Sequence, residues 1–427
     1  MTSDAPPGFT ATQRRDVLVL AVFRGLSFLG DGLALVALYL RVAPRGHAWA
    51  VAGLGLAAMI PFIIFAPLSG LVADRVRAKP YLVALGVGET VVGTALGVWH
   101  SVGATLVLVV LLNCVVAFSM PGYAALLPSV AGESNVAAAQ GIFQSVQGIS
   151  TVLGPILGGL LVGAFGQSIP LYVDGASFAI GALGTALLRA DRRPERRAPG
   201  EKDSAWDGVR LLVGDSLLRD LTVLIFVFML AVGVSNVAEV FYVTQTFHGS
   251  AFAYGALGAS FGVGMILGSV MSSRWGSETV TLTRRTILGV MVIGVAVALV
   301  GAVNAVYQIY PLMVVAGAAV GVANVCGTTV FFARTPDAVR GRMMSAFMAT
   351  SQVAQVGATV AGGAVLSLIA PRTVYWWSGG VATGVSLVVG LPVLARLSRG
   401  VHEVSGPGEG SPSEPLWEFW SSRKCSS

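Results

Sequence analysis

Four carboxyls stand in apolar surroundings where an ion is costly: Asp31, Glu89, Asp174 and Glu239. An ionised side chain at mid-bilayer costs about 2.5–3.5 kcal/mol on insertion scales, so each one calls for a compensating role. Asp31 follows Arg24 and Ser27 at helical steps that place all three on one face. An apolar cavity favours a protonated carboxyl. A carboxyl held there can take a proton from one side of a barrier and release it to the other. Asp31 and Glu89 are therefore the proton-coupling candidates, with Arg24 as the charge beside Asp31. An Arg24–Asp31 pair that only orients helices is the competing account. Asp174 and Glu239 lie nearer the outer ends of their apolar runs.

A second constellation is the stretch GLVADRVRAK, Gly70 to Lys79, between two long apolar runs. Asp74 is followed by Arg75, Arg77 and Lys79 in a turn so short that the flanking helices must be antiparallel. Fixed charges of both signs at such a turn can latch to a neighbouring helix in one conformation and release it in another, which is gate chemistry. A third group is polar without charge. Gln144, Gln147 and Thr151 form one stripe; Asn236 and Glu239, then Gln352 and Gln355, lie later in the chain. They are candidates for lining a substrate cavity, and interhelical hydrogen bonding is the alternative.

These residues need helices to position them. The 427-residue chain is 55% hydrophobic and 11% charged, against about 25% charged in soluble domains. Twelve apolar runs, at 16–40, 49–73, 81–99, 103–121, 137–163, 168–189, 220–246, 252–273, 285–303, 307–330, 343–369 and 373–396, each approach the roughly 20 residues that span a bilayer as a helix. The expectation is an all-α membrane protein with twelve transmembrane helices. With the N-terminus inside, the outer loops hold only Arg41, Arg45 and Arg372, and Arg24 lies within a span. All the other Lys and Arg fall on the inner side, so both termini are expected in the cytoplasm. Inner-leaflet loops account for the +6 net charge without a nucleic-acid partner.

The chain divides into an N-terminal cytoplasmic segment 1–15, a six-helix half 16–189, a charged linker 190–218, a second six-helix half 219–396 and a tail 397–427 expected to be disordered and cytoplasmic. The halves repeat weakly. Gln147, Thr151, Gly158 and Gly159 in the fifth span correspond to Ser351, Gln355, Gly362 and Gly363 in the eleventh. Two parallel six-helix repeats are one architecture that binds substrate at the repeat interface. Pro155 breaks the hydrogen-bond ladder of the fifth span, so a bend is expected there.

Some chemistries are excluded. Lys79, Lys202 and Lys424 precede Pro, Asp and Cys, so none completes the G-K-[ST] end of a phosphate loop. The G-x-S-x-G match at Gly258 to Gly262 lies inside an apolar run rather than at a strand-to-helix turn, and the four histidines are scattered, so neither an esterase site nor a metal cluster is expected. The chain is not expected to be an enzyme and needs no cofactor; a proton gradient is the expected energy source. One charge falling through 100 mV supplies about 2.3 kcal/mol.

From about 16 to 396 the chain resembles the major facilitator superfamily. The turn is similar to that family's loop signature G-x-x-x-D-R-x-G-R-R/K: Gly70, Asp74, Arg75 and Lys79 match, while Arg77 replaces a glycine and Ala78 an arginine. The fifth span resembles the antiporter signature g-x8-G-x3-G-P-x2-G-G through Gly141, Gly154, Pro155, Gly158 and Gly159, with Ser150 in place of one glycine. SFLGDG, PGYAALLPSV, YVDGASF and TPDAVRGRMMS are similar to the branch holding macrolide-efflux and enterobactin-exporter relatives. The fourth span lacks the coupling arginine of many drug–proton antiporters, which leaves Arg24 as the only membrane arginine to substitute. The resemblance implies the major facilitator fold and a proton-coupled antiporter of a bacterial inner or plasma membrane. Working as a monomer in the lipid bilayer, it would export amphipathic small molecules such as antibiotics or natural products. A siderophore or lysophospholipid transporter, or a non-transporting membrane sensor or scaffold, are the alternatives.

Overall fold

A computed structural model describes residues 9–44, 47–191, 210, 214, 216–272, 274, 278–335 and 340–404. Among them twelve long helices follow one another: α1 Ala11–Val42, α2 Ala48–Arg75, α3 Ala78–Val98, α4 Val102–Ala131, α5 Val136–Phe165, α6 Ser168–Ala186, α7 Ser216–Phe241, α8 Ala251–Ser272, α9 Thr279–Ala302, α10 Ile309–Arg334, α11 Arg340–Leu366 and α12 Pro371–Val404. Helix is the structure that satisfies every backbone group within one apolar segment, so these runs have little choice in lipid. Among the described residues eleven spans are long and apolar enough to cross a membrane. The remaining helix, α11, carries Thr350, Ser351, Gln352 and Gln355 at its middle.

Helix ends are set by capping rather than by hydropathy, and several helices outrun their apolar windows. Thr10 and Gln13 form a reciprocal capping box that starts α1 at Ala11. α4 continues beyond 121 through Pro121 and Pro128 to Ala131, where Gly132 at φ 79° ends it. α12 continues to Val404, so the expected tail begins helical; 405–427 lie outside the described residues, as does most of the expected linker 190–218. Arg41 is not in a loop. It ends α1, is fully buried (0% exposed), and its guanidinium donates to Leu96 O, to Trp99 O (3.2 Å) and to Ser168 Oγ (3.4 Å). It thus satisfies carbonyls at the end of α3. Arg372 does the same for α9, donating to Gly301 O at 2.8 Å.

Within the first half α1 packs on α5 and α6, α2 on α4, and α3 on α6 and α4; within the second, α8 packs on α10, α9 on α12 and α10, and α7 on α11 and α12. The halves meet mainly through α5 against α8 and α2 against α11. At the face opposite the termini one apolar core is shared: Val36, Leu40, Val51 and Leu54 of the first half join Val237, Val240 and Phe241 of the second. Towards the terminus-bearing face the cores separate. Val17, Leu82, Leu126 and Leu188 cluster within the first half, and Leu217, Leu224, Val330 and Val393 within the second.

Candidate functional site

The interior of the first half gathers three carboxyls. Glu89 on α3 is 4% exposed and accepts a 2.5 Å hydrogen bond from Ser119 Oγ of α4. Asp174 on α6 is 1% exposed, and its Oδ1 has no hydrogen-bond partner among the described residues. Gly30 of α1 leaves room for it, since a Cβ there would stand 2.6 Å from Asp174 Oδ1. Asp31 lies within electrostatic reach of Arg24, Glu89 and Asp174 yet is solvent-accessible, so it lines a gap between helices rather than the packed core. Ser27 is buried beside it on α1. The Arg24–Asp31 pair of the competing account does not form. Seven residues put the two about 10 Å apart along the axis, and the guanidinium instead lies 4.3 Å from the Tyr123 ring centre and 4.8 Å from that of Phe28. A planar guanidinium suits an aromatic face. Tyr123 is held in turn by a 3.2 Å hydrogen bond with Thr185 Oγ1.

At the α2–α3 turn the connection is only Val76 and Arg77, both extended. Gly70, Asp74 and Arg75 belong to α2, where Asp74 is half-buried and Arg75 exposed. The cations turn to a residue absent from the candidate set, Asp191, just past α6. Arg77 reaches Asp191 Oδ2 at 2.8 Å, Lys79 N donates to Oδ1 at 3.1 Å, and Lys79 Nζ donates to Leu188 O at 2.7 Å. Partial burial alone would raise the Asp191 carboxyl, but these hydrogen bonds and the two positive charges hold it below the ordinary carboxylate range. Deeper, Asp16 of α1 is 1% exposed and accepts from the backbone N–H of Arg189 and Ala190 at 2.9 and 3.0 Å. An acid at the end of a span beside an arginine run was the available signal for Asp191.

The glycines of α5 are divided between two neighbours. Gly154 meets Gly32 of α1, where an added Cβ would come within 2.9 Å of the Gly32 Cα, and Gly158 meets Leu33. Ser150 Oγ donates to Gly25 O of α1 at 3.0 Å. Gly159 faces the other half, against Ala251 and Phe252 of α8, and Pro155 packs on Gly255 and Gly258. Gly141 borders open space. The repeat seen in sequence has the same division of labour: Gly362 packs on Val237 of α7 within its half, and Gly363 packs on Ala52 and Trp49 of α2 across the seam.

A cavity of about 610 Å³ lies inside the second half. It runs from Leu218 and Met344 near the terminus-bearing face to Glu239 and Tyr375 beneath the shared core. Asn236, Glu239, Gln352 and Gln355 line it. Gln144, Gln147 and Thr151 do not; they are exposed on α5, with Thr151 at the seam with α8. Around Glu239 stand three tyrosines from three helices: Tyr39 of α1, Tyr254 of α8 and Tyr375 of α12. Hydropathy gave no hint of them. Among the described residues no group of His, Cys, Asp and Glu could hold a metal ion.

Residues 20–235 and 221–425 each match the family model described as Major Facilitator Superfamily. The chain is 25% identical over 232 residues to the uncharacterized MFS-type transporter YfiS of Bacillus subtilis, covering 52% of this chain and 56% of that protein. It is 26% identical over 208 residues to the multidrug efflux pump Tap of Mycobacterium tuberculosis, covering 45% and 49%. The chain thus spans about half the length of these curated relatives. In fold it is similar to a bacterial homologue of the lysosomal transporter Spinster in an inward-facing, unoccupied conformation, with TM-score 0.67, 17% identity and coverage of 94% and 100%. It is also similar to the nucleoside transporter NupG, with TM-score 0.65, 16% identity and coverage of 90% and 99%.

Proposed function

This chain belongs to the Major Facilitator Superfamily, and from that premise we propose that it is a secondary active transporter exporting amphipathic small molecules by alternating access, driven by proton entry. One observation carries the reading: the halves share an apolar core at one face and part into separate cores towards the other. With the termini in the cytoplasm, as the cation distribution favours, this is the inward-open arm of the cycle. A compound enters from the cytoplasm or inner leaflet, and rocking of one half against the other moves the seal from the outer face to the inner.

Asp31, Glu89 and Asp174 supply the protonatable groups for coupling. They sit in the first half, whereas the cavity described above lies in the second, so the proton path and the substrate space are assigned to different halves. Arg24, held on Tyr123, keeps one positive charge near the three acids. The similarity to a multidrug efflux pump supports export as the direction and drug-like compounds as the cargo.

The test is accumulation of a panel of antibiotics and dyes in efflux-deficient bacteria expressing the chain. Lower accumulation that a protonophore abolishes is expected, and Asp31→Asn or Glu89→Gln should remove most of it at unchanged expression. Full protonophore-sensitive export by both variants would rule out these acids as carriers. Unchanged accumulation across the panel would overturn export of amphipathic drugs.

A further inference from the structure

The cavity inside the second half has a one-sided charge. Glu239 is its single carboxyl, and among the described residues no Lys, Arg, His or Asp lines it. Arg285 of α9 stands beside Cys326 and is outside the lining. The rest of the wall is largely apolar and soft, with Phe228, Phe261, Phe331 and Phe347 set among Met229 and Met348. Glu239 itself is only partly exposed, at the closed end of the cavity beneath the shared core.

Each class of ligand meets this wall differently. An anion meets a like charge with no cation to offset it. A neutral molecule gains no ion pair at Glu239, and where that residue is ionised it leaves the carboxylate without a counter-charge, which is costly in an apolar site. A cation with an apolar body pairs with Glu239 and lays its body on aromatic faces and thioethers, both of which attract cations or polarizable groups. The volume of about 610 Å³ is within the roughly 300–1,000 Å³ typical of small-molecule pockets. We propose that the transported compounds are amphipathic monocations, bound with the charged group at Glu239 and the apolar body along α7, α10 and α11. This rests on the transporter reading above and specifies its cargo.

The test compares two ions of one shape and opposite charge, tetraphenylphosphonium and tetraphenylborate. Their binding to the purified full chain in detergent is measured by equilibrium dialysis, with micelle partition subtracted. The unaltered chain should bind the phosphonium at least tenfold more tightly than the borate. Glu239→Gln should erase that preference, Glu239→Asp should keep most of it, and Gln355→Glu in the Glu239→Gln background should restore it, because Gln355 lines the same cavity. Gln355→Glu in the otherwise unaltered chain should widen the preference, which keeps the test decisive if Glu239→Gln does not fold. Equal binding of the two ions, binding of neither, or a preference that survives Glu239→Gln would overturn the proposal. No gradient enters the measurement, so the two readings fail separately. Charge-selective binding without proton-driven movement in proteoliposomes would sink the export reading alone. Proton-driven export that favours neutral compounds would sink the cation rule alone.

Discussion

At Asp191 two covalently distant charges decide how the α2–α3 turn is held. Arg77 is largely exposed and Asp191 mostly covered, with the Lys79 N–H completing the cradle. Exposed ion pairs contribute little by themselves, and the backbone hydrogen bond adds a net contribution of similar size. Asp191→Ala should therefore cost about 1 kcal/mol, read as a small fall in the melting temperature of the detergent-solubilised protein. The sign of the pH dependence follows from the lowered carboxyl. Its stabilisation is complete above the ordinary Asp value of 3.8 and disappears as pH falls through the lower folded-state value. Over that acidic window the melting-temperature gap between the unaltered chain and Asp191→Ala should close. A gap that is constant with pH would mean that the charge does not hold the turn. Arg24 teaches the complementary lesson. An arginine and an aspartate on one helix face invite pairing, but Arg24 is taken by Tyr123, a residue on another helix.

At the scale of elements, α5 and α11 act as paired wedges. Gly158 and Gly159 are adjacent in sequence but face different halves, so equal added bulk should have different consequences. Gly158→Val presses on Leu33 inside the first half and should lower thermal stability, since overpacking typically costs about 1–3 kcal/mol. Gly159→Val presses on the Ala251–Phe252 backbone across the seam. It should weaken the seal while leaving each half folded, and labelling of a cysteine placed at Tyr39 from the outer side should rise. Comparable loss of melting temperature in both variants, with no change in labelling, would show that the seam glycine serves packing alone. Pro155 precedes these glycines in an unbroken α5, and the carbonyl of Thr151, its missing partner in the ladder, faces Gly262 of α8.

For the whole molecule, one face is closed and the other parted, which on the proposed transport reading is a single station of a cycle. Gly55 of α2 and Thr359 of α11 approach across the closed face, where a Cβ on Gly55 would lie 3.1 Å from Thr359 Cγ2. Cysteines at both positions should form a disulfide under mild oxidation and arrest export until reduced, because on the proposed reading that face opens to release cargo. A cross-linked protein that still exports would mean that the α2–α11 contact does not part during transport. The arginines at two helix ends, Arg41 buried and Arg372 exposed, belong to the same scale. Arg41 and Arg372 tie the ends of α3 and α9 at the face opposite the termini to neighbouring helices, so each half can move as a unit rather than as separate helices.

Much of this molecule is legible in one dimension. Lipid offers the backbone no partners, so each apolar run must be a helix, and run length alone yields twelve. The Gly-Gly repeat of the fifth and eleventh spans is also legible, because backbones can approach only where side chains are small. What hydropathy cannot tell is how each helix is turned about its own axis. A helix that is apolar all round carries no amphipathic stripe to orient it. Gln144, Gln147 and Thr151 therefore looked as suitable for the cavity as Gln352 and Gln355, and only packing separated them. Asp174 joined Asp31 and Glu89 only once α1, α3 and α6 were set side by side. The tertiary structure likewise placed Glu239 at the end of an apolar cavity, because that depends on which side chains six separate helices leave absent from one volume.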